Sequence, residues 1–207
     1  MNKLVKDALV LTCITVIAGF ALGLVYEITK APIAKAQEEA LQKAYQSVFD
    51  TADSFEELNG FDSTKATELV QKAGYTDDTI DNCVEALDAG GTVLGYVITV
   101  TTSAGYGGNI TFSVGITNDS KINGYSITSI SETAGLGMKA RDTGKGTFSS
   151  QFENRDAEIF TVTKGGASSS SEIDAISAAT ITSKAMTGGI NASVTYFNSL
   201  VGGAANE

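Results

Sequence analysis

The densest chemistry in the chain is the run Asp174-Ala175-Ile176-Ser177-Ala178-Ala179-Thr180-Ile181-Thr182-Ser183. Four hydroxyls, separated by small residues, stand behind an aspartate and directly ahead of a helical pattern. A capping segment needs only one such hydroxyl. A helix N-terminus presents N–H groups without intrahelical partners and a partial positive charge, and together these suit a phosphate. Lys164, on the strand expected before this run, is the counter-charge within reach of such a group. Two other loops stand out. Gly105-Tyr106-Gly107-Gly108 is a hairpin connection, or a backbone that must pass close to a planar ligand. Glu132-Thr133-Ala134-Gly135-Leu136-Gly137-Met138-Lys139-Ala140 contains a Gly-x-Gly-x-x-Ala spacing that mimics the dinucleotide fingerprint. That fingerprint needs a long following helix and a parallel sheet, and Gly144 and Gly146 cut the helix off. A phosphate-binding P-loop fails too, because Gly144-Lys145 is followed by Gly146 and lacks the upstream spacing.

Composition narrows the chemistry further. The 207 residues contain no His, which removes imidazole acid–base catalysis, Ser-His-Asp triads and imidazole metal sites. Two Cys build neither a disulfide framework nor an iron–sulfur cluster. A net charge of -10 argues against nucleic acid, whose phosphates call for a basic footprint. Redox or group-transfer work therefore falls to a bound cofactor, and no catalytic residue and no metal site is assigned.

The elements that must position these loops read as follows. Ala8–Tyr26 is an uncharged apolar run of transmembrane length, preceded by Lys3 and Lys6. The flanking charge favours a cytoplasmic N-terminus and an extracytoplasmic main domain. A cleaved signal peptide, processed near Ala34-Lys35-Ala36, is the competing reading, although the run is long for one. Cys13 in this run reads as a small apolar residue. Residues 31–207 carry 11 basic and 22 acidic side chains, so the acidity belongs to the domain outside. Cys83, the lone thiol there, is a buried residue, an intermolecular partner or a mark of a reducing habitat. Pro32–Phe49 reads as a helical stalk beginning at Pro32, and Ser63–Ala73 as a helix with Ser63 as N-cap and Gly74 closing it. Thr92–Thr102, Asn109–Thr117, Lys121–Ser131 and Glu158–Thr163 read as strands. A Gly/Ser-rich loop, Gly165–Ser171, and a helix from Thr180 to about Leu200 complete the chain. The fold class expected is α+β: a single N-terminal transmembrane helix, then an antiparallel sheet flanked by helices. Its divisions are residues 1–30 (tail and anchor), 31–90 (helical stalk and helical region) and 91–207 (cofactor-binding domain).

Asp174–Ser183 resembles the flavinylation motif Asp-x-x-Ser/Thr-Gly-Ala-Thr. That motif occurs in the G subunit of the Rnf electron-transport complex and in the C subunit of the sodium-translocating NADH:quinone reductase. Glu132–Gly137 resembles the same family's Glu-Thr-Pro-Gly-Leu-Gly loop. The anchor, the sheet and the Gly105–Gly108 loop match in order, so the likeness spans nearly the whole chain. Ala178 stands where the family has Gly, and Ala134 where it has Pro. The length fits the shorter Rnf protein.

The resemblance implies FMN bound covalently, through a phosphoester from its phosphate to Thr180, with Asp174 in the signal read by a flavin transferase. It implies cofactor contacts from Ser177, Ala179, Thr182, Ser183, Glu132, Thr133, Gly135, Leu136, Gly137, Lys164, Tyr106 and Gly107. The function implied is electron relay within an ion-translocating ferredoxin:NAD oxidoreductase complex in the cell membrane. The partners implied are its other membrane subunits, and the isolated chain is expected to have no turnover of its own. Three other readings stay open beside it: an anchored extracytoplasmic binding module without cofactor, the C subunit of the sodium-translocating NADH:quinone reductase, and a secreted flavin reductase with free FMN.

Overall fold

The computed structural model describes residues 3–204, divided into two units between Ala40 and Leu41. The first unit is formed by α1 (Lys3–Val48) as far as Ala40. It contains an 18-residue stretch of mean hydropathy 2.5 with none of it buried, long and apolar enough to cross a membrane. Thr12 and Thr29 return their hydroxyls to carbonyls four residues back, so these polar groups stay satisfied along the helix. Pro32 lies inside α1 and does not start a new helix. It has no N–H for the Ile28 carbonyl, yet the helix runs through it.

The second unit holds a six-stranded antiparallel meander: β1 (Ser54–Glu57), β2 (Asp78–Leu87), β3 (Val93–Thr102), β4 (Ile110–Thr117), β5 (Lys121–Ser129) and β6 (Arg155–Asp156). The α+β class and the antiparallel sheet with helices are as the sequence implies. The segment 31–90 is not helical throughout, because β1 and β2 lie within it and the sheet starts well before residue 91. A bulge between Ile80 and Asn82 hides β2 from a search for alternation. It shifts the parity so that Ile80 and Cys83, three apart, both join the main core. Cys83 is fully buried, and burial pushes its thiol up to about 12, which leaves it inert.

One sheet face is covered by α2 (Ser63–Lys72) and α3 (Thr180–Ala204), which enclose Val70, Ile98, Val100, Phe112 and Met186. The end of α1 covers the other, through Tyr45, Val48 and Phe49 on Val84, Ala86 and Val97. Asp62, not Ser63, caps α2: its carboxylate accepts from Thr64 N and Lys65 N, while the Ser63 hydroxyl donates to the Ile80 carbonyl at 2.7 Å. The expected strand Glu158–Thr163 shrinks to β7 (Thr161–Thr163), which pairs in parallel with β8 (Glu172–Asp174). Phe160 leaves the strand because Asn191 of α3 takes both its N–H and its carbonyl at 2.9 Å.

Candidate functional site

The three loops singled out from the sequence meet around one cleft of about 540 Å3, lined by Tyr106, Glu132, Thr133, Leu136, Gly137 and residues 178–182. This lies within the ~300–1,000 Å3 range of small-molecule sites. Tyr106, Leu136 and Ile181 remain exposed around it and offer an apolar wall.

Glu132 holds the cleft together. It is buried, and its two carboxylate oxygens face different elements. Oε1 accepts from the Gly107 N–H at 3.0 Å, and Oε2 accepts from the Thr182 hydroxyl at 2.9 Å. One side chain thus ties the Gly105–Gly108 loop and its own loop to the first turn of α3. Gly137 makes this approach possible, since a Cβ there would sit 2.5 Å from Thr182 Oγ1 and 2.7 Å from Glu132 Oε2.

The motif hydroxyls separate by role. Ser183 is fully buried and works as a cap: its Oγ accepts from Ile176 N and donates to the Ala179 carbonyl, both at 2.9 Å. Thr182 is spent on Glu132. Ser177 is exposed and lines a different hollow, with Asp174 and Gln151. Thr180 is half-buried on the cleft wall, and its hydroxyl makes no hydrogen bond among the described residues. It opens α3, where the first N–H groups lack intrahelical acceptors.

Asp174 is fixed from both sides. Gln151 accepts from its N–H at 2.7 Å and donates to its carbonyl at 3.1 Å, while its carboxylate accepts from Gly166 N at 2.9 Å. Glu172 orders the same Ser-rich loop through Ser168, whose backbone N–H donation draws the Glu172 carboxyl below its usual value. Of the residues expected at the site, Tyr106, Glu132, Thr133, Leu136, Gly137, Ala179, Thr180 and Thr182 line the cleft, with Gly107 behind it. Gly135 turns the loop with φ +76 and does not line the cleft. Lys164 follows β7, exposed, and does not line it either. Ala178 and Ile181 were missed as lining residues, and Gln151 as the clamp on Asp174.

Ala178 adopts φ +60, a left-handed conformation that a methyl group makes costly. Ala178→Gly is expected to stabilise the domain by about 0.5–1 kcal/mol, the relief of strain outweighing the added freedom of the unfolded chain. Thermal unfolding checks this: a rise of about 1–4 °C is expected for a domain of this size, and no rise contradicts it.

The cleft fits FMN. Its glycine-lined cradle would be filled by a Cβ at 137, its wall is apolar, and one free hydroxyl stands at a helix N-terminus. A family model described as FMN-binding domain matches residues 105–195, and one described as RnfG N-terminal region matches residues 1–48. The G subunit of the proton-translocating ferredoxin:NAD(+) oxidoreductase complex of Clostridium ljungdahlii is 33% identical over 195 residues, 94% of this chain and 91% of that one. The G subunit of the Na(+)-translocating complex of Acetobacterium woodii is 33% identical over 199 residues, covering 94% and 92%. The G subunit of an ion-translocating oxidoreductase complex from Methanosarcina acetivorans is 28% identical over 205 residues, 97% and 98%. The crystal structure of Shewanella oneidensis NqrC aligns over 60% of this chain and 62% of that one, with TM-score 0.48 and 19% identity.

Proposed function

Since the chain belongs to the G-subunit family of ion-translocating ferredoxin:NAD(+) oxidoreductase complexes and carries an FMN-binding domain, we propose that it is a membrane-anchored electron relay with FMN esterified to Thr180. Bound FMN accepts and passes on electrons one at a time. The chain's own residues bind and orient it. Thr180 Oγ1 would hold the phosphate covalently, the free N–H groups at the start of α3 would offset its charge, and Tyr106, Thr133 and Leu136 would supply the cleft wall for the ring. Asp174 belongs to the signal that a flavin transferase reads during maturation, and it lines one hollow with Ser177. Electrons come from and go to the other subunits of the complex. Covalent attachment keeps the cofactor in place on the outer side of the membrane, where a dissociated FMN is lost.

The observation that carries this reading is the unengaged Thr180 hydroxyl on the cleft wall, beside neighbours whose hydroxyls are occupied or turned away. Ultraviolet fluorescence of the denatured full-length chain tests it. A fluorescent band is expected for protein produced with a flavin transferase. A dark band favours a binding module, or a flavoprotein with dissociable FMN.

The anchor assignment has a separate test. Lys145 sits in an exposed loop, Cys83 is buried and Cys13 lies in α1. Lys145→Cys in intact cells is expected to react with a membrane-impermeant thiol reagent. Protection until the cells are permeabilised contradicts an extracytoplasmic domain.

A further inference from the structure

A second cavity, of about 370 Å3, abuts the cleft and shares Ile181 with it. It lies between the Gly74–Asp78 turn, the end of β3 at Thr102, and α3 at Ile181, Lys184 and Gly188. Asp78, the first residue of β2, lines this cavity although it is only 4% exposed, and its Oδ1 has no hydrogen-bond partner among the described residues. A buried carboxylate oxygen without a partner is costly in folding and calls for an explanation. Oδ1 itself is closed off from solvent, whereas Oδ2 lies 3.6 Å from where a Cβ on Gly188 would stand, and Gly188 lines the cavity. Ile181, in the first turn of α3, is common to this cavity and the cleft.

We propose that Asp78 is a proton-binding site coupled to the electron held in the adjacent cleft, its carboxylate taking up a proton when an electron arrives and releasing it when the electron leaves. The proposal rests on the flavin reading above. The step balances simply. A reduced redox centre of a neighbouring subunit loses one electron to the flavin, a hydronium ion reaching the cavity from solvent breaks one O–H bond and leaves as water, and one O–H bond forms on the Asp78 carboxylate. Reoxidation reverses both. The cause is electrostatic, because negative charge added nearby disfavours a second negative charge on the carboxylate. By linkage, a protonated Asp78 makes the flavin easier to reduce.

The groups facing Asp78 leave it free to titrate. Burial pushes its carboxyl up to about 6, against donation from the Thr102 hydroxyl of β3 and with the help of the Asp77 charge on its own turn. On α3, Lys184 is exposed and forms no ion pair among the described residues, so no fixed cation holds the carboxylate ionised.

The test is the midpoint potential of the flavin in the full-length holoprotein, measured against pH by spectroelectrochemistry in the wild type and in Asp78→Asn. Well below pH 6 both carry a neutral side chain and their potentials are expected to converge. Above it the wild type is expected to fall below Asp78→Asn as its carboxylate ionises. Any pH dependence of the flavin itself is common to both proteins. Curves that coincide throughout, or that run parallel at a constant offset, overturn the coupling. Infrared difference spectra of the wild type add a readout that needs no variant to fold. A protonated-carboxyl band is expected to grow on reduction in the wild type and to be absent from Asp78→Asn, and an unchanged carboxyl region overturns the proposal. Protein that carries no flavin after production with the transferase sinks the flavin reading itself, whereas bound flavin with parallel curves sinks the coupling alone.

Discussion

Thr180→Val is expected to leave a folded chain that carries no covalent flavin. Valine keeps the branched volume and deletes Oγ1, the atom a phosphoester requires. The loss to folding is small, because that hydroxyl makes no hydrogen bond among the described residues, and even an ordinary lost bond costs about 1 kcal/mol. Circular dichroism should therefore match the wild type while fluorescence of the denatured band disappears. Thr180→Ser should retain attachment, since the hydroxyl stays on the cleft wall. Thr182→Val behaves differently. It removes the donor to Glu132 Oε2 inside the protein and is expected to destabilise by about 1.5–3 kcal/mol, the range for a bond to a charged group, with attachment retained in part. A fluorescent Thr180→Val band contradicts the account.

Glu132→Ala is the second large effect expected, and it acts through positioning. The substitution leaves the Gly107 N–H and the Thr182 hydroxyl without their acceptor and releases the Gly105–Gly108 loop from α3. Two bonds to a buried carboxylate place the loss at about 3 kcal/mol or more. Hydrogen exchange should accelerate at the 105–108 loop and at the first turn of α3 and stay unchanged in β3 and β4. Flavin content should fall with it. Glu132→Gln is expected to rescue most of this, because its carbonyl still accepts from Gly107 while the Thr182 hydroxyl rotates to accept from its amide. Equal exchange in the wild type and Glu132→Ala contradicts the clamp.

Much of this arrangement was legible in the sequence, and the gaps have physical reasons. β3, β4 and β5 are dense in Val, Ile and Thr, and their boundaries follow from the glycines and the Asn118-Asp119 turn. β2 was not legible, since its bulge breaks alternation and its polar residues Asp81 and Asn82 imitate a loop. Pro32 suggested a helix start, yet its neighbours carry the helix through. The loops at 105–108, 132–137 and 174–183 were each marked by unusual residues. Their convergence depends on a single carboxylate, and nothing in the spacing of Glu132 announces two partners 25 and 50 positions away. Lys164 looked like a phosphate partner by proximity in sequence, but β7 pairs with β8 and the chain carries it to an exposed loop. Asp78 sits in a Thr-Asp-Asp run that reads as a turn. Only its burial beneath α3 sets it apart from Asp77.

The central claim is the chemical identity of the attachment atom, and one measurement addresses it most directly. Trypsin releases residues 165–184 as one peptide, bounded by Lys164 and Lys184 and containing all four motif hydroxyls. Fragmentation of this peptide, from full-length chain produced with a flavin transferase, locates the added mass. The account predicts FMN in phosphoester linkage on Thr180, with Ser177, Thr182 and Ser183 unmodified. The mass on any of those three, or a peptide with no flavin at all, contradicts it.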